Sequence, residues 1–459
     1  MRNKSSLLGG AALGVLLAIS VSAGADAKTH KKHVAAAPAA DANAERVNEL
    51  AAEVEALKAR LDQETLAREQ TAAQVQQAQA QAAQAQADAQ SARAQLAEQI
   101  QTIPGAVKTA VAANAPKPGW WNGTTVTGRV FYDLTDINQK SSGTGGPTPT
   151  VNGFNFDIKR AYIGVDHKFN DTYSANITTD FTYDKTTGAS QLYLKKTYLQ
   201  AKYADALTIR LGAADLPWVP FVEDIYGYRY VENVLIDRTK FGTSAEWGVH
   251  ALGTLPFKPV TISYALSVVN GNGYKVPGQG TSNRSKDMDF EGRLSAKYSD
   301  FTVAIGGYEG KLGKNVNGTA TYHTAERFDA LAAYTSKKAR VGVEYLYAKN
   351  YADVVNSGKT NTSEGWSGFA SYKITDQVGL FGRYDYVQPK KDTASATKDG
   401  YFNVGVSYSP IAPIDFALVY KRDKVDNGLF TTSNGAGGVI GGSKNGTYDE
   451  IGLWGQYRW

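Results

Sequence analysis

The sequence contains no cysteine and only 2 methionines in 459 residues. The first absence excludes a disulfide-stapled fold, a thiolate metal site, a cysteine nucleophile and a lipid anchor carried on cysteine. An excess of one charge sign is missing too. The 49 basic and 44 acidic side chains leave a formal charge of +5, with no basic stripe of the kind nucleic-acid binding needs. Histidine is scarce: His30, His33, His167, His250 and His323 are scattered, and no HExxH, GxSxG, P-loop or dinucleotide fingerprint accompanies them. No catalytic residue, metal site or cofactor is therefore expected. Long apolar runs are also lacking. The run at residues 7–19 spans 13 residues, short of the roughly 20 that a membrane helix requires, and no later run is long enough.

That run follows Arg2 and Lys4 and precedes small residues at 21–23 and 25–27. The pattern is that of a secretory signal peptide over residues 1–27, removed at Ala23 or Ala27. An exported chain without a membrane helix is either soluble outside the cytoplasm or a membrane β-barrel. Residues 28–46 form a basic, alanine-rich segment. From Val47 onward apolar residues recur in steps of three and four, through Leu50, Val54, Leu57 and Leu61 and again from Val75 to Leu96. All fit one heptad register, so residues 47–100 are expected to form a coiled coil, weakest at Glu64, Arg68 and Thr71. Pro104, Gly105, Pro116 and Pro118 mark a linker over residues 101–118.

Residues 119–459 alternate apolar and polar side chains with period two. In residues 288–298 one face reads Met, Phe, Gly, Leu, Ala, Tyr and the other Asp, Glu, Arg, Ser, Lys. Sixteen such strands can be placed, centred near Val130, Ile163, Ile177, Leu199, Ile209, Val249, Tyr264, Leu294, Val303, Ala332, Val343, Ala370, Leu380, Val404, Leu418 and Leu453. Short connections alternate with long ones, the latter including 135–152, 213–242 and 423–446. The expected fold is an all-β transmembrane barrel of about 16 antiparallel strands, preceded by the α-helical coiled coil. Both barrel ends then lie on the short-turn side, which puts the coil in the periplasm of a Gram-negative bacterium and the barrel in outer-membrane lipid. The last strand ends with Tyr457 and Trp459 on one face, and resembles the terminal aromatic signature used in barrel assembly.

If the apolar set faces lipid, the other set lines water. Arg129, Arg160, Lys196, Lys202 and Arg210 then form a basic wall on the first five strands, with Arg293 and Arg383 further along. A positive wall of this kind attracts small anions. The long connection after the fifth strand is rich in aromatics. It resembles the connection that general porins fold inward to narrow the pore, and that resemblance implies a constriction loop carrying Asp215, Trp218, Glu223, Asp224, Arg229, Glu232, Asp237 and Arg238.

Two segments carry a family resemblance. Residues 156–164, Phe-Asp-Ile-Lys-Arg-Ala-Tyr-Ile-Gly, resemble the strand with paired basic residues of the phosphate-selective porin O and P family. Leu211-Gly212 followed by Leu216-Pro217-Trp218 is similar to that family's approach to its inward loop, although Ala213-Ala214-Asp215 departs from its more polar pattern. The resemblance implies a homotrimer of sixteen-stranded channels, with an anion path built from lumen arginines and lysines; Lys159 and Arg160 match the basic pair. The function expected is passive diffusion of small hydrophilic solutes, anions preferred and phosphate among them. The alternative is a structural tether, in which the coil and the basic segment contact peptidoglycan and the barrel is an anchor.

Overall fold

The computed structural model describes residues 41–101, 119–183, 189–275 and 284–459. The expected signal peptide, residues 28–40 and residues 102–118 of the expected linker lie outside them. The chain divides into two units, one up to Ala115 and one from Pro116 onward.

In the first unit a single helix, α1 (Asp41–Gln101), runs for 61 residues. Its sequence has neither glycine nor proline and is dominated by alanine, glutamine and glutamate, which lose little freedom in a helix. It starts about a turn and a half before the expected coil. Val47 and Leu61 are 64% and 66% exposed, so the heptad edge has no cover within the helix's own unit. No described helix is long and apolar enough to cross a membrane, which says nothing about strands.

The second unit is a closed antiparallel barrel in which each strand pairs with its sequence neighbours and the last pairs with the first. The first eight strands are β1 (Thr124–Ser142), β2 (Gly153–Lys168), β3 (Tyr173–Tyr183), β4 (Ser190–Ala204), β5 (Leu207–Asp215), β6 (Ala245–Phe257), β7 (Val260–Val269) and β8 (Asp289–Tyr298). Then follow β9 (Phe301–Gly310), β10 (Ala325–Thr335), β11 (Ala339–Lys349), β12 (Thr362–Lys373), β13 (Val378–Gln388), β14 (Lys398–Ile411), β15 (Ile414–Thr431) and β16 (Val439–Arg458). All sixteen expected centres fall within these strands. Three strands outrun the expectation. β1 continues to Ser142, and β15 and β16 extend to Thr431 and from Val439, so residues 135–142, 423–431 and 439–446, assigned to loops, belong to strands.

Burial follows the alternation in the sense opposite to a soluble sheet. In β8, Phe290 and Leu294 are 56% and 50% exposed, whereas Asp289 and Glu291 are 0% and 3% exposed. Such a wall of outward aliphatic side chains is stable only against hydrocarbon. At the closing seam Trp459 exchanges backbone hydrogen bonds of 3.1 Å with Gly128 and lays its ring over that residue, where a Cβ would meet it at 2.0 Å. Tyr457 stacks beside Trp459 at 5.7 Å, and both are exposed on the outer face.

Of the five places where the ladder shifts register, two bear on the lumen's charge. Phe131 pairs with Arg160 but Tyr132 pairs with Ile158, leaving Lys159 as an extra residue in β2. Thr178 pairs with Lys196 but Thr179 pairs with Leu194, leaving Lys195 extra in β4. Each is a β-bulge, and each turns two consecutive basic residues into the lumen.

Candidate pore and selectivity site

The chain leaves β5 by a conformation that favours glycine. Gly212 has φ +126°, and a Cβ there would lie 2.2 Å from the Thr197 carbonyl oxygen. The connection that follows, residues 216–244, turns into the barrel. It contains α2 (Val219–Tyr226), with proline in its first turn and Gly227 as a left-handed cap at φ 80°, and the single turn α3 (Leu235–Arg238). Trp218, Val222, Leu235, Ile236 and Phe241 pack against the inner faces of β10 to β16, on Leu331, Leu346, Phe369, Val387 and Ile440. One side of the lumen is thereby filled with a dry apolar core.

Buried charges fix this loop. Arg238 bonds Asp385, Asp399 and Asp423 at 2.8, 2.6 and 2.9 Å, with its guanidinium 4.5 Å from the Tyr401 ring centre. Trp218 donates its indole N–H to Glu344 at 2.8 Å and its backbone N–H to Glu291 at 3.1 Å. Glu232 lies 3.5 Å from Lys421 and accepts from the Ser433 hydroxyl at 2.8 Å. Burial alone would raise its carboxyl, but Lys421 and Lys159 together with these hydrogen bonds hold it well below the ordinary range. Trp218, Glu232 and Arg238 thus serve as anchors of the loop. Two residues expected to line the open pore serve likewise. Arg383 is buried, donating to the Asn233 carbonyl and to Asp385. Arg293 donates to the Pro217 carbonyl at 2.8 Å and covers the Phe221 ring at 3.9 Å.

Water-accessible space remains between the loop and the wall formed by the early strands. A cavity of about 850 Å³ opens toward the short-turn rim and is lined by Arg129, Tyr162, Lys195, Lys196, Asp215 and Asp224, among others. Toward the long loops lie cavities of about 430 and 350 Å³, which share Arg160, Lys240 and Lys275. The large cavity and the smallest one meet at Phe131 and Arg229. This slit is where charge can act on a solute.

Its walls are basic on the strand side. Lys159 lies 3.7 Å from Asp133, Arg160 2.8 Å from Asp180, and Lys196 3.1 Å from Asp215. On the loop side Arg229 pairs with Glu223 at 2.5 Å and Asp237 at 3.7 Å. Lys195, Lys240, Lys275 and Arg129 form no ion pair among the described residues, and on the acidic side Asp224 and Asp166 are left in the same state. Burial raises the carboxyls of Glu223 and Asp224 above their ordinary values, against the pull of Arg229 on the first and Arg129 on the second. Lys202 sits at the short-turn rim, paired with Asp205 at 2.8 Å. Arg210 donates to Gln200 at 2.8 Å and lies 4.8 Å from the Tyr198 ring. Sequence reasoning counted Lys240 among the charges of the inward loop but missed Lys195 and Lys275. The adjacent pair Lys195-Lys196 repeats the Lys159-Arg160 pattern and was the available signal. Among the described residues no group of histidine, aspartate or glutamate is arranged to hold a metal ion.

No protein-family model and no curated protein sequence matches this chain. Solved structures do. The anion-selective porin from Comamonas acidovorans superposes with a TM-score of 0.53 at 11% identity, covering 73% of this chain and 99% of that one. The outer membrane channel DcaP of Acinetobacter baumannii gives 0.50 at 13% identity, covering 73% and 97%. The barrel therefore has the fold of the sixteen-stranded outer-membrane porins.

Proposed function

We propose that this protein is an outer-membrane porin through which small hydrophilic solutes diffuse passively, anions in preference to cations. The observation that carries this reading is the pair of bulges, which put Lys159, Arg160, Lys195 and Lys196 into one narrow slit opposite a folded-in loop. Fixed charges beside a low-dielectric wall act strongly on a passing ion, and water screens them less there than in bulk. In planar bilayers the purified full-length protein should conduct, and in a KCl gradient its reversal potential should have the sign of chloride preference. Absence of conductance, or a cation preference at neutral pH, would reject the reading.

Acid should sharpen the preference. Glu223 and Asp224 take up protons at higher pH than ordinary carboxyls because their pKa values are raised, so negative charge leaves the slit early as pH falls from 7 toward 4. Glu232, held low, stays ionised and keeps its anchor through that range. Anion preference should rise monotonically over that interval. A flat or falling profile would show that these two carboxylates do not face the permeation path.

The exposed heptad edge of α1 supports a further part of the reading, that copies associate through this segment on the periplasmic side. The native mass of the full chain in detergent should be a multiple of the monomer, and deletion of residues 41–101 should weaken that association. A monomeric full-length protein would count against it.

A further inference from the structure

The cations of the slit differ in their surroundings. Arg160 and Arg229 are committed to carboxylates. Lys195 and Lys275 instead lie on tyrosine rings. Lys195 Nζ is 4.3 Å from the Tyr162 ring centre and donates to the Tyr162 hydroxyl at 3.1 Å, with the Tyr274 ring 5.9 Å away. Lys275 Nζ stands 5.0 Å over Tyr193. The Tyr193 ring is stacked on Tyr274 at 6.1 Å and 21°, and Arg160 reaches the Tyr193 hydroxyl at 3.1 Å. Phenol rings from β2, β4 and the connection after β7 thus form one patch with ammonium groups set on their faces.

This arrangement selects by chemistry as well as by sign. An ammonium resting on a ring has lost part of its hydration and presents its remaining N–H groups to an incoming oxygen. The Tyr162 hydroxyl accepts from Lys195, so its own proton is available to a second oxygen of the same anion. The cost of stripping water from an ion grows with the square of its charge, whereas the attraction grows only in proportion to it. With Arg160 and Arg229 already neutralised, the single ring-borne ammonium of Lys195 favours a singly charged carboxylate over a dianion. The neighbouring rings favour a planar aromatic group behind that carboxylate.

We propose that the slit holds an affinity site for small aromatic carboxylates, the carboxylate on Lys195 and Tyr162 and the ring against the Tyr193 and Tyr274 patch. The proposal rests on the porin reading and narrows it to a solute class. The test uses the full-length protein in planar bilayers carrying a chloride current. Sodium benzoate, cyclohexanecarboxylate, acetate and phosphate are added at matched ionic strength. Benzoate should give half-block at a concentration roughly tenfold below that of acetate, the scale of one good ring contact, with cyclohexanecarboxylate, equal in size but without a π face, near acetate. Lys195→Gln should abolish the benzoate block, and Tyr274→Leu should bring benzoate level with cyclohexanecarboxylate. Lys275→Gln, outside the strands, should weaken the block and provides the test if a strand variant does not insert. Equal half-block by the three carboxylates, or block by phosphate at lower concentration than benzoate, would overturn the proposal while leaving the porin reading intact. A protein with no chloride current would reject the porin reading itself.

Discussion

Replacing Arg238 with alanine is expected to raise single-channel conductance and current noise together, because it unlocks the loop that occupies the lumen. The guanidinium is shared by Asp385, Asp399 and Asp423, and its removal leaves carboxylates buried without their cation, a loss of about 3–5 kcal/mol for a broken buried pair. Asp385 keeps Arg383, so the barrel wall retains one ion pair while α3 loses its hold. Lysine at the same position should give an intermediate result, since one ammonium cannot span three carboxylates as a planar fork does. Thermal unfolding of the folded band in detergent gives the second readout. An alanine variant with native conductance and native unfolding temperature would show that the apolar packing of Trp218, Leu235 and Ile236 suffices to seat the loop.

The second large effect is a change of sign. Lys195→Glu combined with Lys275→Glu should convert the chloride preference into a potassium preference. Neither lysine has an ion-pair partner among the described residues, so the substitutions break no salt bridge and alter the slit by four charges. A unit charge at roughly 8 Å and an effective dielectric constant of about 20 contributes about 2 kcal/mol to an ion in the slit, more than a factor of ten in preference. Lys202→Glu, at the rim and paired with Asp205, should shift the reversal potential only slightly. A double variant that stays chloride-selective would place the permeation path elsewhere in the lumen.

The barrel was legible in the sequence because lipid outside and water inside impose a strict period of two. Every strand centre was recoverable from residues such as Phe290, Leu294, Leu380 and Leu418. The extra lengths of β1, β15 and β16 were not. Residues 136–142 and 422–431 stand beyond the apolar band, where both faces carry polar side chains, so alternation fades although pairing continues. The inward loop could be read from its aromatics, but the division of its residues between anchoring and lining could not. Arg229 and Arg238 look alike in sequence, and only the three aspartates brought together from β13, β14 and β15 assign Arg238 to the core. Lys195 escaped detection for a different reason. Strict alternation sends one of two adjacent residues to the lipid, and the bulge that reverses this is marked only by the basic pair Lys195-Lys196 itself.

Those two bulges also bear on how such a lumen can be retuned. A strand with one residue too many can lose that residue and close its ladder without rotating any other side chain. Deleting Lys159 or Lys195 would subtract a single positive charge from the passage and leave the oily exterior in its original phase. Single-residue insertions and deletions, ruinous in most strands of a membrane barrel, are at these two places a fine adjustment of charge.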